Sequence, residues 1–292
     1  MTRSLPPRRT RRAGAAGLAA TGSLCLLVAA VPTPAVAAVS TAAAPTATNN
    51  GFHHPLRIDN RFLPFRPGTR YVFDGQVDGT PHRVVLVVTD LAKVVDGVAT
   101  AVLWDRDFDD GQLVEAELAF EAENDRGTVW NYGEYPEEYE DGHFVGAPAT
   151  WIPGVDRARA GINMLAHPRV GTPRYVQGSA PAIDFLDTAK VVATGQHVCV
   201  RGRCYDHVVV TDETSPLEPD SGHQIKYYAP GVGVVRIGAV GGTQQEFLDL
   251  VSVTHLGPAG LAAARAAALR LERRAYRVSK PYRRTPPMHV RG

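Results

Sequence analysis

Cysteine is scarce in this 292-residue chain: only Cys25, Cys199 and Cys204 occur. Past the first forty residues, no run of apolar residues approaches the length of a membrane span without interruption by charge. No Gly-x-Ser-x-Gly occurs, so the usual signature of a serine hydrolase elbow is missing. The glycines of Ala229-Pro230-Gly231-Val232-Gly233 are followed by neither a Lys-Ser/Thr pair nor a helix, which excludes a phosphate loop and leaves a tight turn between strands. Net charge is also low, +1 at neutral pH, and arginine is concentrated near the two ends. The middle of the chain is therefore acidic, which argues against nucleic-acid binding.

The amino terminus reads as an export signal spanning residues 1–37. Arg3, Arg8, Arg9, Arg11 and Arg12 form a cationic n-region, Gly14 to Ala30 is an apolar run rich in Ala, Gly and Leu, and Ala35-Val36-Ala37 has the small-x-small cleavage pattern. The expected location is secreted or extracytoplasmic. Thr10-Arg11-Arg12 before a weakly hydrophobic run is compatible with twin-arginine export as well as with the general secretory route. Cys25 lacks a Leu three positions earlier, so a lipid anchor is not expected.

An Ala/Thr/Pro linker (38–51) follows, then a single β domain (52–256) and a basic helical tail (257–292). Strands are expected at 71–77, 83–89, 98–104, 113–120 and 128–132, with Asp78-Gly79, Asp96-Gly97, Asp110-Gly111 and Arg126-Gly127 between them. Asp-Gly suits a type I′ hairpin turn, because both central residues there need positive φ. Residues 151–172 are rich in Pro and Gly and read as an interruption of the sheet with a short helical turn near Arg157 to Ala160. The strand pattern resumes at 187–198, 205–211, 223–229, 232–240 and 244–254. The fold class is thus mainly β: a large antiparallel curved sheet or half-barrel of about ten strands, with a C-terminal basic α-helix. Pro258 and Pro281 bracket the helix, whose Ala/Leu composition suits docking and whose basic residues suit an anionic envelope surface.

With Cys25 removed alongside the signal, Cys199 and Cys204 are an even pair in an exported protein, most simply a disulfide pinning the register of a hairpin turning near Arg201-Gly202. His197 and His207 flank the pair, so a metal site is the alternative. Asp105 to Gly111 has alternating carboxylates like a calcium loop but fails the spacing, with Asp110 and Ala116 where Gly and Glu belong, and reads as a polar hairpin turn. Glu134, Glu137, Glu138, Glu140 and Asp141, interleaved with tyrosines, read as a solvated acidic loop. His53, His54, His82, His143 and His223 read as surface residues, and no metal or cofactor is expected.

Three phrases together resemble an uncharacterised secreted bacterial family, mainly actinobacterial: Ile58-Asp59-Asn60-Arg61-Phe62-Leu63-Pro64-Phe65 with Pro67 to Tyr71, Gly127 to Glu134, and Lys226-Tyr227-Tyr228-Ala229-Pro230-Gly231-Val232-Gly233-Val234-Val235. The resemblance covers roughly Leu56 to Thr254. It implies an open, apolar-lined half-barrel similar to lipoprotein-carrier architectures, and no particular activity. The chain departs from that family around Tyr175 to Asp184, in its cysteine pair and in its basic tail.

Two functions follow as expectations. The first is an exported, non-catalytic, monomeric β protein that binds a lipid-like, glycan or protein ligand at the cell envelope, with Trp130, Tyr132, Glu134, Tyr135, Trp151, His167, Tyr227 and Tyr228 as candidate contacts. The second is a secreted hydrolase using carboxylates of residues 134–141 with His167.

Overall fold

The computed structural model describes residues 51–243 and 245–291; the expected signal and most of the linker lie outside them. The described chain runs β1 (Thr69–Val77), β2 (Thr80–Val95), β3 (Val98–Asp109), β4 (Gln112–Glu123), β5 (Val129–Glu140), β6 (His143–Gly146), β7 (Arg159–Met164), β8 (Tyr175–Ala180), β9 (Phe185–Val200), β10 (Arg203–Thr214), β11 (His223–Ala229), β12 (Gly233–Val240), β13 (Glu246–His255), α1 (Pro258–Val278) and β14 (His289–Val290). Every pairing between these strands is antiparallel.

The sheet closes. The order β1-β13-β12-β11-β10-β9-β8-β7-β5-β4-β3-β2 returns to β1, because β1 pairs with both β13 and β2. The result is a twelve-stranded barrel, beyond the half-barrel of the sequence reading, with β6 and β14 added outside the ring. Closure satisfies the two edges that an open sheet of this size would leave unpaired. The expected hairpins form where Asp-Gly stands: Asp78, Asp96 and Asp110 have φ of 47–48° and the glycines after them 78–82°. No helical turn forms near Arg157. Asp156 and Arg157 instead take positive φ, and β7 begins at Arg159.

Alternation sorts each strand into an inward and an outward set. Inward residues of one half are apolar, among them Tyr71, Leu86, Val88, Leu103, Val191 and Leu250, and the segment Ile58 to Phe65 inserts its own Ile58, Leu63 and Phe65 among them. Asn60 ties that segment in place. Its backbone N–H donates to Glu123, its Nδ2 to the carbonyls of Gly127 and Leu165, and its Oδ1 accepts from the N–H groups of Phe62 and Leu63. Gly231 donates to the Arg61 carbonyl across the barrel end. One end of the barrel is thereby stoppered.

Outward residues of β2 to β5 form a second core under α1. The helix buries Ala264, Ala267, Ala268, Leu271, Glu272 and Ala275, a single face at helical spacing whose small side chains allow close approach. The tail therefore docks on the barrel. Lys93 from β2 enters this layer fully buried, donating to Glu272 at 3.1 Å and to the Pro286 carbonyl at 2.8 Å, with the Tyr282 ring centroid 4.1 Å away. Among the described residues, no helix is long and apolar enough to cross a membrane.

Candidate functional site

Beyond the apolar half, the inward positions turn acidic. On β3, Asp105 and Asp107 continue the inward series begun by Leu103; on β4, Glu115, Glu117 and Glu121 do so on either side of Ala119. Register places Asp105 opposite Glu117 and Asp107 opposite Glu115, so carboxylates face carboxylates across one hairpin. Glu134 joins them through a backbone device. Gly133 has φ of 98° and the β4–β5 register slips between Ala119 and Glu121, so Tyr132 and Tyr135 both face outward while Glu134 faces the lumen. A Cβ at Gly133 would lie 2.4 Å from the Trp151 carbonyl oxygen, which explains the glycine.

Trp151 continues the wall along β5 beyond the first residue of β7, bridging to Glu134. Its backbone exchanges two hydrogen bonds with Glu134, and its Nε1 donates to Glu134 Oε1 at 2.9 Å. Its ring packs on Phe185, 5.0 Å between centroids, over Gly178, where a Cβ would strike the indole.

The far wall adds Asp187 (β9), Glu213 (β10), Lys226 (β11) and Glu246 (β13), and β2 adds His82. Lys226 Nζ lies 2.8 Å from Glu213 Oε2, and Thr211 and Tyr228 donate to Glu213 Oε1. His82 Nδ1 is 2.7 Å from Asp109, while its Nε2 stands 3.7 Å from Asp107 and 3.8 Å from Glu246. At this end the carboxylates reach solvent, the side chains of Asp109 and Glu246 being 27% and 16% exposed.

One lysine and one histidine do not balance these acids, and the electrostatics show it. Burial raises Asp105 and Glu134 to about 7. Burial, reinforced by neighbouring carboxylates, drives Asp107, Glu115 and Glu117 well above the ordinary range; Asp187 and Glu121 rise for the same reasons. Several groups make no hydrogen bond within the protein: Asp105 Oδ2, Asp107 Oδ2, Glu121 Oε2, Glu134 Oε2 and Asp187 Oδ1 among the acceptors, with Gln177 Nε2 and the Tyr175 hydroxyl among the donors. Buried polar atoms of this kind are costly unless a partner reaches them. The acids are nevertheless too spread for a dehydrated metal ion: among the described residues, no three of them bring ligand atoms within 4.8 Å of one another.

No protein-family model and no curated protein matches the chain. Among solved structures it is similar to a Bacteroides fragilis protein with a YmcC-like fold, at 15% identity over 67% of this chain and 99% of that one, with a TM-score of 0.37, a level at which nothing functional transfers.

The structure divides the expected contacts. Glu134, Trp151 and Tyr228 belong to the lumen and its wall. Trp130, Tyr132 and Tyr135 face outward into the core beneath Phe52 and the C-terminal segment, so they offer no ligand surface. Tyr227 is half-buried beside the β11–β12 bulge, and His167 is exposed in the loop after β7. Residues 134–140 are strand rather than a solvated loop: Glu137 is buried on the outer face, where Arg274 and Tyr139 bind it. His82 is 4% exposed and not a surface residue. Cys199 and Cys204 form the expected disulfide.

Sequence reasoning read Asp105 and Asp107 as part of a polar hairpin turn, whereas both are buried within β3, and it missed Glu115, Glu117, Asp187, Glu213 and Lys226 as lumen residues. The signal was present as period-two acids on two strands facing each other across Asp110-Gly111.

Proposed function

We propose that this is an extracytoplasmic, non-catalytic binding barrel whose acid-lined lumen receives a small cationic ligand with several N–H donors, a polyamine being the simplest example. The observation that carries the reading is the set of buried carboxylate oxygens without a donor, arranged around a single Lys–Glu pair and one histidine. A polyamine supplies positive charge and distributed N–H groups, so it can meet acids too far apart to share one metal ion. The disulfide and the amino-terminal signal pattern support the extracytoplasmic placement.

The lipid-like ligand is less well supported. The apolar half of the lumen is filled by its own side chains, and the pocket lined by Leu63, Phe65, Tyr71, Phe73 and Leu86 measures about 10 Å³, room for one water. The exposure of His167, set against the burial of Glu134 and Glu137, favours the binding reading over the hydrolase.

Titration calorimetry with spermidine at pH 8 and pH 5.5 tests the proposal. Saturable binding at pH 8 is expected, weakening about tenfold or more at pH 5.5 as the lumen acids take up protons. Glu117→Gln with Glu134→Gln should weaken binding at pH 8. Absence of saturable heat at pH 8, or binding indifferent to both pH and these substitutions, would overturn it.

A further inference from the structure

The outer face of the β9–β10 hairpin carries a second constellation, remote from the lumen acids in kind. Arg201 and Gly202 make the turn with φ of 47° and 80°, and Cys199 pairs directly with Cys204. His197 precedes Cys199 by two positions and so shares its face of β9, while Asp206 follows Cys204 by two on β10. The register slips between Tyr205 and Val208, with His207 at φ of 58°. That bulge sets Asp206 against His197, with Oδ1 2.6 Å from Nδ1. His207 is not drawn into the group, contrary to what its position beside the cysteines suggests.

The contact with Asp206 fixes the imidazole. With Nδ1–H donating to the carboxylate, the lone pair lies on Nε2, which points to Cys199 Sγ at 3.4 Å. Ligand atoms of His197, Cys199 and Cys204 all lie within 4.8 Å of one another. Tetrahedral zinc, with Zn–S near 2.3 Å and Zn–N near 2.0–2.1 Å, separates its ligand atoms by roughly 3.5–3.8 Å. A carboxylate on the remote nitrogen of a histidine ligand is the usual support of such sites. All three candidate ligands are solvent-exposed, whereas Val198 and Val200 on the opposite face are buried in the barrel core. The hairpin is therefore held by packing independently of its sulfur bond.

We propose that this face is a redox-gated zinc site. While the disulfide is intact, the sulfurs are bonded to each other and cannot bind metal. An external dithiol of the thioredoxin type supplies two electrons and two protons, becoming a disulfide itself and leaving two thiols on this protein. Zinc then replaces the two thiol protons, binding Cys199 Sγ, Cys204 Sγ and His197 Nε2, with the fourth position left to water.

The test uses the full mature chain, oxidised and dithiol-reduced, with metal content measured after gel filtration and with cobalt as a spectroscopic substitute. One zinc per reduced chain and none per oxidised chain is expected, together with a sulfur-to-cobalt charge-transfer band and a zinc-dependent rise in melting temperature. Asp206→Asn should weaken zinc about 10- to 100-fold, and His197→Ala more than that. The double variant Cys199→Ser/Cys204→Ser keeps the lumen acids and should bind no zinc. Zinc retained by that variant or by the oxidised chain would overturn the proposal by assigning the metal elsewhere. A reduced chain that takes up no zinc, or that no longer melts cooperatively, would overturn it equally, since the site requires the hairpin to stay in register.

Discussion

Raising the pH from 5 to 8 should weaken the barrel, and the lumen acids set the size of the effect. In the folded chain Asp105 and Glu134 titrate at about 7, against ordinary values of 3.8 and 4.5. Between roughly pH 4 and 7 the native state holds protons that the unfolded state has released, so stability falls as pH rises. Below that window both states are protonated and the two groups cost nothing; above it both are ionised and the whole penalty stands. At 1.36 kcal/mol for each pH unit of displacement, the two groups cost at most about 8 kcal/mol, comparable with the entire stability of an ordinary domain. Asp107, Glu115, Glu117, Glu121 and Asp187 are displaced in the same direction and add to the trend. Asp74, held low by its hydrogen bond to Arg83, contributes stability that is lost only as pH falls through the ordinary carboxylate range, so it adds no slope between pH 5 and 8. Urea unfolding followed by tryptophan fluorescence at pH 5, 6, 7 and 8 measures the trend. The extrapolated stability should drop by several kcal/mol, and Asp105→Asn with Glu134→Gln should flatten it. Stability that is constant or increases from pH 5 to pH 8 would refute the reasoning.

Replacing Lys226 by Met leaves Glu213 buried without its cation, and should cost about 3–5 kcal/mol by chemical denaturation, recovered in large part by adding Glu213→Gln. At Gly75 a Cβ would stand 1.7 Å from the Phe247 carbonyl oxygen, so Gly75→Ala should force the β1–β13 seam apart and cost at least about 3 kcal/mol, read as early hydrogen exchange in both strands. Tyr282 is fully buried, 5.3 Å from the Tyr135 ring centroid and beneath Lys93; Tyr282→Ala should cost about 3–5 kcal/mol, with exchange protection lost first in α1.

Local chemistry was readable and long-range chemistry was not. Asp-Gly at 78–79, 96–97 and 110–111 announces hairpins because the conformational demand is met by those two residues alone. The alanine-rich run after Pro258 announces a helix for the same reason, although what it packs on depends on β2 and β4, more than a hundred residues earlier. Asp105 and Asp107 look like loop residues while acids are assumed to seek water; their inward orientation follows only once β3 and β4 are seen to alternate in step. Glu134 is further hidden by the slip at Gly133, which re-aims one residue within an otherwise regular strand. The short strands β6, β7 and β8 carry Gly and mixed polar residues, and they gain strand geometry from neighbours rather than from composition. The phrase Ile58 to Phe65, distinctive as sequence, proves to be the stopper of the barrel, a role set by strands that end near it in space alone.

Ring closure also dictates an order of assembly. Strand β1 has β2 as an immediate sequence neighbour, but its other flank is filled by β13, where Thr69 meets His255 and Val77 meets Glu246. Until the last strand arrives, two long backbone edges remain open to any other extended chain. The closing contact spans well over a hundred residues of intervening chain, so its loop-closure entropy cannot be offset by local pairing. Folding should therefore be limited by that final seam, and a chain interrupted before Glu246 would retain most of its hairpins and still be prone to associate with its own kind.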